Sequence, residues 1–313
     1  MKGMNVVTRR IESKTSRTAE FTCLIRAQSN SEKRAQYKSD DYLSLVIMNS
    51  FSKLLIRIPP VRSFFLKRIY PSGMYEYVIS RTKLIDFEFK KALQDGVEQI
   101  LIFGAGFDSR GIRFQDISKT ARVFEMDVPV TQTAKIKRYK EKGIKIPENL
   151  IFVSIDFDRQ SIPERLAESG FEKNRKSLFI LEGLTMYLQP ESVDKTFRII
   201  QDFAGAGSRV VFDHIYSSVL RKENLYEGEK ELYRSVSKNN EGLCFGIEKG
   251  SINEFLSGYD FKALSILNSN ALENMFFRDK QGKLSARVNG THCIVTAASC
   301  QLANGNFSRQ GGF

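Results

Sequence analysis

The stretch Gln99-Ile100-Leu101-Ile102-Phe103-Gly104-Ala105-Gly106-Phe107-Asp108 is an apolar run that ends abruptly in Gly-Ala-Gly. A second apolar run, 121–126, is closed by the acidic residue Asp127. In a parallel sheet, glycines at the end of one strand let the backbone approach a ligand, and a carboxylate at the end of the next strand binds ribose hydroxyl groups. The two runs together therefore predict a nucleoside pocket.

Short runs rich in branched and aromatic residues alternate with helical patterns after residue 96. This alternation is typical of a doubly wound α/β fold with a mostly parallel sheet and right-handed crossovers. We predict a seven-stranded sheet, in which the last two strands close one edge in antiparallel fashion. The predicted strands are 98–103, 121–126, 150–155, 177–181, 208–213, 261–267 and 291–297.

The chain divides by pattern into a helical N-terminal cap at 1–95, an α/β core at 96–302 and a Gly/Asn-rich tail at 303–313, which we expect to be disordered. Helical spacing predicts helices over 41–58, from Ser72 onward, from Pro190 onward and over 251–257. The charged segment 217–250 is interpreted as an insertion over the carboxyl ends of the strands. Residues 268–289 are predicted to be a polar connection between the last two strands.

The composition narrows the function classes. The chain has 313 residues, a hydrophobic fraction of 42% and no apolar run near the roughly 20 residues that span a bilayer. We therefore expect no membrane segment, and the polar N-terminus, which does not resemble a signal peptide, favours the cytoplasm. Four scattered cysteines and two histidines argue against a metal centre.

The net charge of +12 is concentrated in residues 1–91, which hold 18 Lys and Arg against 8 Asp and Glu. Such a field favours an acidic substrate or an acidic carrier protein, although a solvated basic face without a partner explains it equally simply. No nucleic-acid-binding motif is visible, so we expect no nucleic-acid partner. The sequence leaves the oligomeric state open.

The glycine turn distinguishes between two nucleoside cofactors. The dinucleotide pattern G-x-G-x-x-G is incomplete, because Ser109 stands at the third glycine position and Asp108 is acidic. Asp108 is expected to repel a pyrophosphate at close range. S-adenosylmethionine has ribose and adenine but no phosphate and carries a sulfonium cation, so the turn favours it over a nicotinamide dinucleotide.

Four stretches resemble the leucine carboxyl methyltransferase family, and more closely its bacterial branch related to polyketide-synthesis O-methyltransferases. They are Ser-Arg-Thr-Lys-Leu-Ile-Asp at 80–86, Gly-Ala-Gly-Phe-Asp-Ser-Arg at 104–110, Phe-Glu-Met-Asp-Val-Pro at 124–129 and Leu-Phe-Ile-Leu-Glu-Gly-Leu-Thr-Met-Tyr-Leu at 178–188. The last stretch is the specific one. The resemblance covers roughly residues 75–216 and implies a class I S-adenosylmethionine-dependent methyltransferase.

The resemblance implies a role for six positions in binding the cofactor. Arg81 pairs with the methionine carboxylate, Gly104 and Gly106 line the methionine and ribose portion, Asp127 holds the ribose hydroxyls, Asp156 accepts from the adenine amino group, and Glu182 lies beside the methionine amino end. Tyr187 is placed near the site of methyl transfer.

Most of these residues also have a structural alternative, and Gly104 and Gly106 can belong to an ordinary β–α turn. Arg81 can be a helix charge paired with an acid such as Asp86, and Asp156 can be a helix N-cap. Glu182 can be a buried acid bonded to backbone, and Tyr187 can serve packing alone.

His214 follows the fifth predicted strand and can act as a base if the acceptor is a phenol or an alcohol, or it can be a hydrogen-bonded structural histidine. We predict an O-methyltransferase that acts on a carboxylate or phenolic oxygen of a small molecule or carrier-bound metabolite and releases S-adenosylhomocysteine. The alternatives are a nicotinamide-dependent oxidoreductase, a non-catalytic nucleoside-binding protein and a nucleic-acid binder that uses residues 1–91.

Overall fold

A seven-stranded sheet forms the centre of the computed structural model, which describes residues 17–48, 53–54, 58, 70–157, 159–239 and 242–301. The spatial order is β3-β2-β1-β4-β5-β7-β6, with β1 to β5 parallel and β7 antiparallel to both of its neighbours. The seven predicted strands and the doubly wound topology are confirmed. The strands are β1 Gln99–Phe103, β2 Arg122–Asp127, β3 Leu150–Ser154, β4 Ser177–Leu181, β5 Arg209–Ile215, β6 Phe261–Leu267 and β7 His292–Ser299.

The register brings the carboxyl ends of four parallel strands together. Phe103 pairs with Met126 on one side and Leu181 on the other, and Leu181 in turn pairs with Phe212. Strands β1 and β4 are buried along their whole length, as expected for central parallel strands covered on both faces. Polar residues that directly follow these strands therefore lie at one edge of the sheet.

Eleven helices among the described residues surround the sheet or cover its carboxyl edge. They are α1 Arg17–Asn30, α2 Tyr42–Ile47, α3 Met74–Gln94, α4 Arg110–Arg113, α5 Pro129–Glu141, α6 Ile162–Glu168, α7 Pro190–Phe203, α8 Ser217–Leu220, α9 Glu229–Asn239, α10 Ile252–Ser257 and α11 Ser269–Phe276. None of the helices in the described part of the chain is both long and apolar enough to cross a bilayer.

The described part of the N-terminal cap contains helices and no strand, as predicted. Helix α3 begins two residues after Ser72. Helix α2 ends at Ile47, because the backbone of Met48 leaves the helical region with ψ of 149°. The predicted helix over 41–58 is therefore interrupted there, and Lys53 and Leu54 are again helical. Most of the rest of the predicted helix over 41–58 lies outside the described residues. So do residues 1–16 and the tail from 302 onward, and the domain boundaries stay predictions.

Two connections near the sheet edge contain structure that the sequence analysis did not predict. Residues 268–289 include helix α11, where the side chain of Asn268 accepts from the N–H of Ala271 at 3.0 Å and Leu272 is buried. An N-cap and a buried leucine help to hold this short helix, which the predicted polar hairpin connection did not include.

The insertion at 217–250 contains helices α8 and α9 and then returns to the end of β5. There the N–H of Ile247 donates to the Ile215 carbonyl at 3.0 Å, and the N–H of Ser217 donates to the Ile247 carbonyl at 3.2 Å. A Cβ on Gly246 would lie 3.0 Å from the Ser217 Cα. The insertion is therefore held against the carboxyl edge of the sheet by backbone hydrogen bonds and by a close approach at Gly246 that an added Cβ would crowd.

Candidate functional site

The turn after β1 and the end of β2 meet through a direct hydrogen bond. Gly104 and Gly106 have φ of 57° and 47°, in the left-handed region that favours glycine. The N–H of Gly106 donates to Asp127 Oδ2, and the N–H of Val128 donates to Asp127 Oδ1 at 2.7 Å. Two backbone donors therefore fix the orientation of the Asp127 carboxylate, and each of its oxygens retains a lone pair for a ligand.

Asp127 is mostly buried, and burial raises the pKa of its carboxyl above the usual value although both backbone donors oppose the rise. Helix α1 closes over the same turn. A Cβ on Gly106 would lie 3.0 Å from the Ala19 Cβ, and Arg26 Nη2 donates to the Phe107 carbonyl at 2.7 Å. Helix α1 thus packs directly against the glycine turn after β1.

Glu182, one residue beyond β4, lies between two arginines. Arg81 Nε donates to Glu182 Oε1 at 3.1 Å, and Arg110 Nη1 donates to Oε2 at 2.7 Å. Burial by itself raises the pKa of Glu182, but Arg110 and Arg81 outweigh burial and lower that pKa to about 2. Arg81 and Glu182, which are 101 positions apart in the sequence, are thus in contact.

Asp213, near the end of β5, is a partner of Arg81 that the sequence analysis missed. Its Oδ2 accepts from Arg81 Nη1 at 2.7 Å and from the Tyr77 hydroxyl at 2.7 Å. Its Oδ1 accepts from the N–H of Gly183 at 2.6 Å. Its position directly before His214, at the end of a predicted parallel strand, is the signal that could have identified it, by the reasoning that selected Asp127.

Asp86 pairs with residues other than the one suggested by the sequence. It accepts from Arg110 Nε at 2.7 Å and from Arg113 Nη1 at 2.8 Å. Arg81 on the same helix instead contacts the carboxylates of Glu182 and Asp213. The alternative in which Arg81 is a surface charge neutralised by Asp86 is therefore wrong.

Asp108 is not the isolated negative charge that the sequence indicates. Its Oδ1 accepts from the N–H of Arg110 at 2.7 Å, and its Oδ2 pairs with the Arg110 guanidinium. Because Arg110 compensates it, Asp108 by itself does not exclude a pyrophosphate. The relevant quantity is the charge of the whole cluster.

Ion pairs join five carboxylates and four guanidinium groups into one cluster, and Asp127, which lies beside it and is bonded to the Gly106 N–H, is counted as its sixth carboxylate. We call it the site charge network, and it leaves an excess of two negative charges when all of its groups are ionised. Its members are Arg26, Asp41, Arg81, Asp86, Asp108, Arg110, Arg113, Asp127, Glu182 and Asp213.

Asp156 lies beyond β3, next to the end of β2, where the N–H of Ile155 donates to the Asp127 carbonyl at 3.0 Å. The Asp156 carbonyl accepts from the N–H groups of Arg159 and Gln160, and its carboxylate pairs with the exposed Arg159 at 3.6 Å. Asp156 is thus adjacent to Asp127, the residue predicted to bind the ribose, and its backbone carbonyl shapes a short turn.

Tyr187 ends a 3-10 turn, Thr185–Tyr187, that follows Glu182 closely. The ring is partly buried against the main hydrophobic cluster. The carbonyl of the preceding Met186 accepts from the N–H of Cys244 at 2.8 Å. The insertion and the Tyr187 turn are therefore in direct contact.

His214 lies on the opposite face of β5 from Asp213, because side chains alternate along a strand. Its ring is 6.2 Å from the Phe212 ring and 5.8 Å from the Tyr216 ring, measured between centroids. Nδ1 is 2.9 Å from the Ile215 carbonyl oxygen, and Nε2 is buried without a partner among the described residues. Burial lowers the pKa of His214, so its ring is neutral near pH 7.

Comparisons with solved structures agree with this architecture. A provisionally named methyltransferase from Thermobifida fusca has a TM-score of 0.56 at 14% identity, covering 90% of this chain and 94% of that one. A DUF574 family protein from Streptomyces avermitilis has a TM-score of 0.57 at 11% identity, covering 91% of this chain and 98% of that one. At these identities the likeness shows the fold alone.

Comparisons of sequence are more specific. YktD of Bacillus subtilis, provisionally named an S-adenosyl-L-methionine-dependent methyltransferase, is 26% identical over 193 residues, which are 61% of this chain and 62% of YktD. A Mycobacteroides abscessus protein of the same provisional name is 28% identical over 203 residues, 62% of this chain and 64% of that protein. The matched region spans less than two thirds of both relatives. The family described as leucine carboxyl methyltransferase matches residues 19–201, and the chain belongs to this family.

Proposed function

We propose that the protein is an S-adenosylmethionine-dependent O-methyltransferase whose acceptor is a carboxylate or phenolic oxygen of a small molecule or carrier-bound metabolite. The observation that carries the proposal is the site charge network at the carboxyl edge of the sheet. It joins Arg81 to Glu182 at 3.1 Å and lies beside the glycine turn that binds Asp127. The names of the curated relatives support the same activity.

The charge of the cofactor matches the charge of the site. S-adenosylmethionine carries a sulfonium, an ammonium and a carboxylate, so its net charge is positive, whereas the site charge network has an excess of negative charge. A nicotinamide dinucleotide would place two phosphates in the same field and would be disfavoured.

The described residues offer a partner to each part of the cofactor. Arg81 Nε and Nη1 bind Glu182 and Asp213, and we assign Nη2, which makes neither of these bonds, as the donor for the methionine carboxylate. Glu182 accepts from the methionine amino group, Asp127 binds the ribose hydroxyls, and Asp156 lies where it can accept from adenine. Gly104 and Gly106 let the backbone approach the ligand.

The cofactor supplies a methyl group that is already activated on sulfur, so the protein has to align the acceptor and exclude water. Helix α1 on the Gly106 turn and the insertion beside Tyr187 cover the site from two sides. A carboxylate acceptor needs no base near neutral pH, because its ordinary pKa is about 4. A phenol needs one, and the unpartnered Nε2 of His214 is the base that we assign to this case.

The first test concerns cofactor binding. Arg81→Ala should weaken the affinity for S-adenosylhomocysteine about 10- to 100-fold, because a hydrogen bond to a charged group contributes roughly 1.5–3 kcal/mol. The control Arg198→Ala, which removes a 61% exposed arginine on α7, should leave the affinity unchanged. Calorimetry on both folded variants measures this, and equal affinity in Arg81→Ala and the control would remove Arg81 from the site.

The second test separates the two acceptor classes. An acceptor screen with carboxylates and phenols should identify substrates, and His214→Ala should then abolish turnover of phenols while it spares carboxylates. Loss of both classes would reject His214 as a base specific for phenols. Cofactor binding without methylation of any acceptor would instead favour a non-catalytic nucleoside-binding protein.

A further inference from the structure

We propose that Asp213 is a positioning residue that orients Arg81 and the Gly183 turn toward the methionine end of the cofactor. The inference rests on the proposed function. Asp213 is completely buried, and its carboxylate accepts three hydrogen bonds, from Arg81 Nη1 at 2.7 Å, from the Tyr77 hydroxyl at 2.7 Å and from the Gly183 N–H at 2.6 Å. Asp213 is thus placed behind Arg81 and not in the pocket wall.

The bonding pattern requires a carboxylate at this position. Oδ2 accepts from two donors and Oδ1 accepts from a third, so both oxygens act only as acceptors. An asparagine amide has one oxygen and one NH₂ group, and in either orientation its NH₂ faces a donor. It points at the Gly183 N–H, or at the Tyr77 hydroxyl and Arg81. Asp213→Asn therefore changes the bonding pattern while it keeps the shape of the side chain.

Two fixed contacts on a planar group determine the direction of the third. Glu182 binds Nε of Arg81 and Asp213 binds Nη1, so together they set where Nη2 points. Gly183 adds a close contact on the same guanidinium. Its φ is 62°, and a Cβ there would lie 3.1 Å from Nη1 and 3.3 Å from Nη2 of Arg81. Asp213 binds both the guanidinium and the glycine, so it sets their relative position.

The backbone of Asp213 has a separate role. Its carbonyl accepts from the Thr185 hydroxyl at 2.5 Å, and Thr185 begins the turn that carries Tyr187. A side-chain substitution leaves this carbonyl in place. The acceptor side of the site should therefore be insensitive to Asp213→Asn, whereas the cofactor side should respond.

The experiment compares two ligands that differ at the methionine end. S-adenosylhomocysteine has the carboxylate, and 5′-methylthioadenosine has the same nucleoside and sulfur without it. Calorimetry should show that Asp213→Asn weakens binding of S-adenosylhomocysteine at least tenfold and leaves binding of 5′-methylthioadenosine within about twofold. The KM of an identified acceptor should not change. Tyr77→Phe, which removes one donor but keeps the ion pair, should alter neither ligand by more than about threefold.

A thermodynamic cycle tests whether Asp213 acts through Arg81. In an Arg81→Ala background, adding Asp213→Asn should leave the ratio of the two affinities unchanged. If the single variant does not fold, Asp213→Glu gives the same ratio, since it keeps the charge but displaces the carboxylate by one methylene. Equal weakening of both ligands, or of neither, overturns the role of Asp213. Failure of the unmodified protein to bind S-adenosylhomocysteine instead overturns the proposed function itself.

Discussion

Gly183→Ala should have two effects, which are backbone strain at a left-handed residue and displacement of the Arg81 guanidinium. A non-glycine residue in this conformation costs roughly 1–2 kcal/mol. Gly183 has φ of 62°, and its substitution would also place a Cβ 3.1 Å from Arg81 Nη1. Gly143 has φ of 65° and nothing within 4 Å of the equivalent Cβ. Gly143→Ala is therefore a matched control for strain alone.

Both alanine variants should lose about 1–2 kcal/mol of unfolding free energy, measured by chemical denaturation. Only Gly183→Ala should displace the guanidinium, by a few tenths of an ångström, and misdirect its bond to the cofactor carboxylate. Complete loss of that bond costs roughly 1.5–3 kcal/mol, or about 10- to 100-fold in affinity, so a bond that is only misdirected should weaken binding of S-adenosylhomocysteine by up to about tenfold. Calorimetry on the two variants gives the comparison. Equal affinity in both would refute the reasoning that Gly183 makes room for a cofactor-binding Arg81.

Three further predictions concern stability and the insertion. Burial lowers the pKa of His292 from its ordinary value of 6.5 to about 3. Between these two values only the unfolded state takes up the proton, so the free energy of unfolding decreases as the pH is lowered. Between pH 7 and pH 5 this loss is about 2 kcal/mol, and denaturation of His292→Phe should show a correspondingly smaller pH dependence. Gly246→Ala should push Ser217 away and lower turnover of an acceptor severalfold. The affinity for S-adenosylhomocysteine should not change, since Gly246 lies in the insertion and not against the cofactor. A change in that affinity would reject the assignment of the insertion to the acceptor side. Arg26→Ala should lower the free energy of unfolding by roughly 3–5 kcal/mol, because it leaves the buried Asp41 with one cation fewer. An unchanged denaturation midpoint would contradict the importance of this ion pair.

The parts of the site that depend on neighbouring strands were predictable from the sequence. Gly104, Gly106 and Asp127 follow two consecutive buried strands, and a parallel sheet brings such positions together whatever the rest of the chain does. Glu182 follows the next central strand and obeys the same rule. The structure accordingly places all four at the carboxyl edge of the sheet.

The ion-pair partners were not predictable in this way. Arg81 and Asp213 are 132 positions apart and pair because α3 crosses the end of β5, which no local pattern encodes. Asp86 seemed a natural partner for Arg81 because it is near in the sequence, but it binds Arg110 and Arg113 instead. Helix α11 was missed because its cap, Asn268, lies in a polar stretch that also fits an irregular connection.

The most direct test of the central claim is calorimetry of the unmodified protein with S-adenosylmethionine, S-adenosylhomocysteine and NAD. The negative site charge network and the bond between Asp127 and the Gly106 turn predict binding of the first two and no binding of NAD. Binding of NAD in the absence of S-adenosylmethionine binding would contradict the account and make Asp127 the ribose ligand of a dinucleotide.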